Sequence, residues 1–406
     1  MNNMHPSIFN SKPKEKSAFN IRATLLLSVG AVPFLFTRLL ERISDDALRH
    51  FGYTFALEAD IFLFLSVFLK EFLFPSLTFR DILVFMGLLV LSFVFYRSEN
   101  YNWMIPTIFL IFSSRNVNSK KIIFFLSLFV SLFLLFIVTE YEFGLLPPAP
   151  YTTYENSIRN SFGFLYPTFA PKIFFFLTIA YVLIQKRALT FGEMIILFVL
   201  NLYFFIESDT VSAFICSIFV IVFGFLNRFK IASFWRHPSI RFIPLALAAI
   251  SYFSCFAYRS GNPWIINLNA LFSNRIRLGY NGIQEFGLHL FAHPIVMHAY
   301  QTNPIFDSAY NYVDMGYVQY TLVFGLVFLV VWLFAFYRLI EILQKQGDIG
   351  GITAVIAVAL FTFSDPEILN IECNPALLLF ALVFSRVSPL HKNNIAVNTE
   401  KPNENI

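Results

Sequence analysis

The chain has 406 residues, of which 57% are hydrophobic and only 13% charged, with a formal net charge of +4. A soluble globular domain is about a quarter charged, so this composition excludes one. The apolar residues come in blocks rather than alternating, which is the signature of a polytopic membrane protein.

Residues 1–21 are polar and basic, with Lys12, Lys14 and Lys16. No signal-peptide cleavage pattern follows, so this stretch reads as a cytoplasmic tail and the first apolar block as an uncleaved anchor. A bilayer core takes roughly 20 mostly apolar residues per helix. Twelve blocks qualify, near 22–40, 52–69, 80–96, 101–115, 121–139, 170–185, 190–206, 209–226, 241–258, 316–338, 350–364 and 374–386. The fourth, eleventh and twelfth are short. The expected fold is therefore all-α: one transmembrane domain over 22–386, with about twelve transmembrane helices. A polar C-terminal tail over 387–406 follows.

Basic residues set the sides of such a bundle. With both termini cytoplasmic, 20 of the 29 basic residues fall on inner segments. The other nine are Arg38, Arg42, Arg49, Arg97, Arg159, Lys172, Arg259, Arg275 and Arg277. The two longest connections, about 140–169 and 259–315, fall outside and mix aromatics with Pro, Gly, Asn and charges. Long loops of this kind often carry function; these are expected to fold onto the membrane surface. No internal repeat is visible, whereas secondary transporters often have one.

The first outer loop contains Glu155, Arg159 and then a Gly-aromatic-Pro stretch ahead of Lys172. The second supplies Arg259, Arg275 and Arg277. An arginine fork holds phosphate oxygens bidentately and keeps its proton. One reading of these five cations is a pyrophosphate clamp at the outer surface. The other is interfacial arginines on lipid headgroups, or paired with Glu155 or Glu285. The outer side is where basic residues are scarcest, and this favours the clamp for the group as a whole. Around Arg275 and Arg277, Ile276, Tyr280, Ile283, Phe286 and Leu290 recur at helical spacing, with Arg277, Asn281 and Gln284 on another face. This predicts an amphipathic surface helix, weakened by Gly279 and Gly282.

His289, His293 and His298 follow. The i,i+4 pair would put two imidazoles on one helical face, but Pro294 limits the helix and no carboxylate completes a ligand set. Interfacial histidines are the simpler reading. Asp307 and Asp314 precede the tenth block. A carboxylate beside a cation cluster can orient arginines or take a proton from an acceptor hydroxyl. Asp314 also sits where a helix N-terminus would welcome it. Asp60, Glu207, Asp209, Asp365, Glu367 and Glu372 lie near outer span ends. Most of these are expected to be solvated, with Asp60 and Glu372 standing above that background. Cys216, Cys255 and Cys373 are far apart and form no CxxC pair, so they read as small buried apolar residues. No Walker loop, GxGxxG or GxSxG occurs. Any group transfer would therefore use a substrate that is already activated.

Four stretches carry a resemblance. They are RNSFGFLYPTFAP over 159–171, LNALFSNRIRLGYNGIQEFGLHLFAHPI over 268–295, FDSAYNYVDMGYVQYTLVFGLV over 306–327, and the terminal EILNIECNPALLLFAL. With the topology, they resemble the Wzy-class polysaccharide repeat-unit polymerases of the bacterial O-antigen polymerase and ligase superfamily. The chain departs from the family's pattern at Tyr166, Thr168, Asp209 and Ala292.

The resemblance implies a metal-independent glycosyltransferase of the bacterial cytoplasmic membrane, with no cofactor and no nucleic acid. It would join undecaprenyl-pyrophosphate-linked oligosaccharides into O-antigen, capsular or exopolysaccharide. Its implied partners are that lipid-linked substrate, membrane lipid, a chain-length regulator and a flippase. The expected catalytic set is Arg159, Arg275, Arg277 and Asp307, and the expected substrate contacts are Arg259, Lys172, Tyr310 and His289. A ligase that moves finished glycan to another acceptor shares the superfamily features. A lipid-linked glycan flippase of about twelve spans is the alternative from a different class.

Overall fold

The computed structural model describes residues 13–74, 78–97, 104–148, 153–154, 157–185, 187–229, 232–298 and 310–385. The first half runs through α1 (Pro13–Leu40), α2 (Asp46–Leu73), α3 (Phe79–Arg97), α4 (Met104–Ser113) and α5 (Ser119–Glu142). A two-residue hairpin, β1 (Thr153–Tyr154) with β2 (Ser157–Ile158), follows in the first long loop. Then come α6 (Phe169–Ile184), α7 (Phe191–Ser208), α8 (Val211–Leu226), the short α9 (Ala232–Trp235) and α10 (Ile243–Tyr258). The second long loop contains α11 (Pro263–Leu271) and α12 (Arg275–Phe286). The chain continues through α13 (Gly316–Phe324), α14 (Leu326–Gln346) and α15 (Ile349–Thr362). It closes with 3-10 turns at Glu367–Leu369 and Pro375–Phe380 and with α16 (Ala381–Phe384).

All twelve predicted blocks contain helix. Among the described residues, six helical stretches are long and apolar enough to cross a bilayer, namely Asn20–Leu40, Asp46–Leu73, Ser119–Glu142, Phe191–Ser208, Pro238–Tyr258 and Leu326–Gln346. Five apolar helical stretches are shorter, at Met104–Ser113, Phe169–Ile184, Val211–Leu226, Ile349–Thr362 and Pro375–Phe384. The chain is thus a helical multi-pass membrane protein.

The most continuously buried helical stretches are short ones. α6, α8 and α15 pack on one another, with Pro375–Phe380 against α5 and α6. Ile352 through Ala359, and Pro375 through Ala381, are buried without a break. The long helices instead expose apolar side chains such as Phe68, Phe72, Leu135, Phe253 and Val330. A helix surrounded by other helices meets no lipid, so it need not match the bilayer's thickness alone. That is why the fourth, eleventh and twelfth blocks fold although they are short. Ring-on-ring packing fills this interior, as where Trp332 stacks on Phe380 at 4.5 Å and Phe175 meets Phe361 at 4.8 Å.

Two features differ from the sequence reading or sharpen it. The tenth block, expected as one helix over 316–338, is broken at Gly325, whose φ is +87°. The Leu326 and Val327 N–H groups donate to the carbonyls of His289 (2.9 Å) and Leu290 (3.1 Å). A Cβ on Gly325 would lie 2.6 Å from the Leu290 oxygen, so only glycine admits this strand-like segment into the break. The long apolar helix then runs on to Gln346.

The predicted surface helix is α12. Ile276 and Ile283 are buried, Tyr280 and Phe286 are half-buried, and Arg277, Asn281 and Gln284 are exposed. Its glycines are contact points. A Cβ on Gly279 would come 2.6 Å from Cys255 Sγ of α10, and one on Gly282 would come 2.4 Å from Val313 Cγ2. Both keep α12 tight against α10 and the segment leading into α13. Gly282→Ala is therefore expected to destabilise the protein by about 1–3 kcal/mol through overpacking. Gly87→Ala in α3, where a Cβ meets open space, should leave the melting temperature in detergent unchanged or slightly raised.

Candidate functional site

The site is assembled at the end of the bundle where α1 finishes and α6 begins. After α1, the backbone at 42–44 runs against the first long loop. Ser44 N–H donates to Gly163 O (3.0 Å) and Leu165 N–H to Arg42 O (2.7 Å). Phe162 and Gly163 both take positive φ, and this turn inserts the fully buried Phe162 and Phe164 on either side of Gly163. Arg42 is thereby fixed beside the first turn of α6, with its guanidinium 4.8 Å from the centre of the Phe169 ring. That distance is within range of a cation–π contact.

Arg42 and Lys172 together face three carboxylates from the segment after α15. Arg42 Nη2 meets Glu372 Oε1 at 2.7 Å and Arg42 Nη1 meets Glu367 Oε2 at 3.8 Å. Lys172 Nζ meets Asp365 Oδ2 at 2.7 Å and Glu367 Oε2 at 3.5 Å. Asp365 is only 2% exposed and Glu372 3%. Asp365 Oδ1 also accepts the Glu367 N–H (2.9 Å), which tightens the turn that presents all three acids. Burial raises the Glu367 carboxyl above its ordinary value, although Lys172 and Arg42 pull it down. Beside this lattice, Arg38 is held by Glu41 (2.9 Å) and by Asp60 of α2 (3.0 Å).

Asp314 extends the cluster toward the second long loop. It is not a helix cap: Met315 occupies the N-cap of α13 with no side-chain cap bond. Its Oδ2 instead lies 3.5 Å from the Tyr310 hydroxyl. Burial raises the Asp314 carboxyl above its ordinary range; Arg275 and Lys172 oppose this, and Asp365 adds to it. Tyr310 in turn lines a cavity of about 690 Å³ beside α12, within the usual range for ligand pockets of about 300–1,000 Å³.

The expected site residues separate into groups. Tyr310 touches Asp314, and Arg275 and Lys172 are near enough to act on its charge. Arg277 lies exposed on α12, where Asn269 accepts its backbone N–H at 2.8 Å. Arg159 serves the α7–α8 turn: its guanidinium donates to the carbonyls of Ser208 (2.6 Å) and Asp209 (3.1 Å). A cation satisfying the last carbonyls of a helix is favourable there. Arg259 is exposed at the end of α10. His289 stacks edge-on with His293 (4.5 Å) and has Nε2 3.0 Å from Phe286 O, in the turn after α12. Asp307 lies outside the described residues.

Asp365 and Glu367, expected to be solvated, are corrected by the structure into members of the lattice. Arg42 was one outer cation among nine. Its partners are more than 300 residues away, so local spacing carries no sign of the pairing. The one available signal was the bunching of Asp365, Glu367 and Glu372 at a span end. The chain matches no protein-family model, and no curated protein or solved structure is significantly similar to it.

Removing one partner of a buried pair leaves an uncompensated charge, typically at a cost of about 3–5 kcal/mol. Lys172→Met should therefore destabilise strongly in detergent unfolding titrations. The double variant Lys172→Met/Asp365→Leu should recover most of the loss. Equal loss in both would show that the pair is not coupled.

Proposed function

We propose that the chain polymerises undecaprenyl-pyrophosphate-linked oligosaccharide repeat units at the outer face of the bacterial cytoplasmic membrane. In this reading it has about twelve spans and both termini in the cytoplasm. One observation carries it: Tyr310, on the wall of the cavity, reaches Asp314, which lies in the field of Arg275 and Lys172. A cavity with hydroxyl-binding groups thus adjoins a carboxylate and the helix that carries Arg275 and Arg277. That is the juxtaposition a transfer from a pyrophosphate donor to a sugar hydroxyl requires.

The acceptor hydroxyl attacks the anomeric carbon of the donor glycan. The bond from that carbon to the pyrophosphate oxygen breaks, and undecaprenyl pyrophosphate leaves with the electron pair. The hydroxyl proton goes to a carboxylate, for which Asp314 is the described candidate and Asp307 the candidate outside the described residues. Arg275 and Arg277 stabilise the charge that develops on the leaving pyrophosphate. Preorganised charge of this kind is commonly the largest catalytic term. Arg277 suits this role because, among the described residues, no ion pair holds its side chain. Arg159, committed to the α7–α8 turn, supports the loop rather than the phosphate.

In cells, Arg275→Ala and Arg277→Ala are expected to cut chain extension by about a hundredfold or more, with protein level unchanged. Gel electrophoresis of the polysaccharide would then show single repeat units; normal ladders in both variants would refute the clamp. A base must be ionised to accept a proton, so activity should fall as pH drops through the raised Asp314 value. The acidic limb of the in vitro rate profile should lie above the usual carboxylate range and vanish in Asp314→Asn.

A further inference from the structure

The cavity wall is built on a single face of α12. Arg277, Asn281 and Glu285 follow one another at i, i+4 and i+8, so they form one row along roughly 12 Å of helix. Asn281 and Glu285 line the cavity, while Arg277 lies one turn before them. The row therefore changes sign along its length, from cation through amide to carboxylate.

Among the described residues, the polar side chains of the opposite wall are the hydroxyl, amide and imidazole groups of Tyr310, Asn311, His293 and His298, beside the apolar Ile295 and Val296. Asn311 locks the two walls together. Its Nδ2 donates to Glu285 Oε1 (2.8 Å), and its Oδ1 accepts the His298 N–H (2.6 Å). The Glu285 carboxylate is thus held in place as part of the wall. No lysine or arginine occurs anywhere between Arg277 and Arg338, so neither the chain after α12 nor α13 supplies a lysine or arginine beside Glu285.

We infer that this row selects its ligand by charge: a glycan whose sugars beside Glu285 are neutral or carry a free amine, and not one bearing a uronate there. The inference rests on the glycan-transfer reading for the identity of the ligand. The chemistry behind it is general. A second carboxylate brought against a fixed one, with Arg277 roughly 12 Å away along the helix, meets like-charge repulsion on top of its desolvation cost. An ammonium group meets the reverse. Planar amides, a carboxylate and imidazoles supply the paired donors and acceptors that vicinal hydroxyls need, and Phe286 offers an apolar face on the same wall.

The test is binding to the full-length protein in detergent, read by saturation-transfer NMR. Three disaccharides of identical linkage serve as probes: one neutral, one with a free amine in place of a hydroxyl, and one with a uronate in place of the hydroxymethyl group. The neutral and amino probes should bind, and the uronate probe should bind about tenfold more weakly or worse. Glu285→Gln, with an unchanged melting temperature, should bring the uronate probe close to the neutral one. Uronate binding equal to or tighter than neutral would overturn the inference, as would failure of all three probes to bind. So would an unchanged gap in folded Glu285→Gln. Because no bond is made in this assay, it fails separately from the polymerase reading. Loss of selectivity with Arg275→Ala still abolishing extension removes only the present inference. Selectivity without any extension activity removes only the polymerase.

Discussion

The buried lattice of Arg42, Lys172, Asp365, Glu367 and Glu372 is the constraint on which the rest of this end of the protein depends. Each of its charges would be prohibitively costly alone in an apolar interior. Each is tolerable because its partner arrives from a distant part of the chain. α1, α6 and the segment after α15 cannot drift apart without exposing an unpaired ion to the interior. The hydrophobic effect does little to choose among packings inside a bilayer, since lipid tails are as apolar as leucine. Ion pairs with defined geometry supply the choice instead.

The same lattice connects folding to chemistry. It holds Lys172 and Asp365 near enough to Asp314 to act on its charge, and Asp314 in turn touches Tyr310 on the cavity wall. A carboxyl poised this way owes its character to two separate loops, not to its own helix. Gly316 contributes by its size: a Cβ there would lie 2.6 Å from Thr362 O and 2.8 Å from Asp365 O. The start of α13 is thereby pressed onto the turn that carries the acids.

Much of the architecture was legible because it is local. Apolar blocks and basic flanks predicted a helix in every block, and the period of Ile276, Tyr280 and Ile283 predicted the buried face of α12. Helix breaks and ion pairs are not local. Gly325 looks like an ordinary glycine inside an apolar run; its meaning lies in the carbonyls of His289 and Leu290, some 35 residues earlier in the chain. Arg159 shows the converse. Its place in a long loop suggested a ligand, but the carbonyls at the end of α7 claim it, and no sequence pattern announces a helix end waiting for a cation. Asp365 sits at a span end and is nevertheless buried against Lys172, because closeness to a span end does not by itself give access to water.

The lattice also has a history written into it. Arg42 is made 330 residues before its closest partner, Glu372. Most of the protein must be inserted before that charge is neutralised. Pro375–Phe380 packs into the bundle only after the helices made before it are in place, because it has no length with which to hold a bilayer by itself. Until that segment leaves the ribosome, the place it fills is a gap beside the early helices. A chain truncated before residue 365 would lack every carboxylate of the lattice and would leave Arg42 and Lys172 facing that gap. Such a product would present quality-control proteases with a bundle full of apolar helices and two stranded cations.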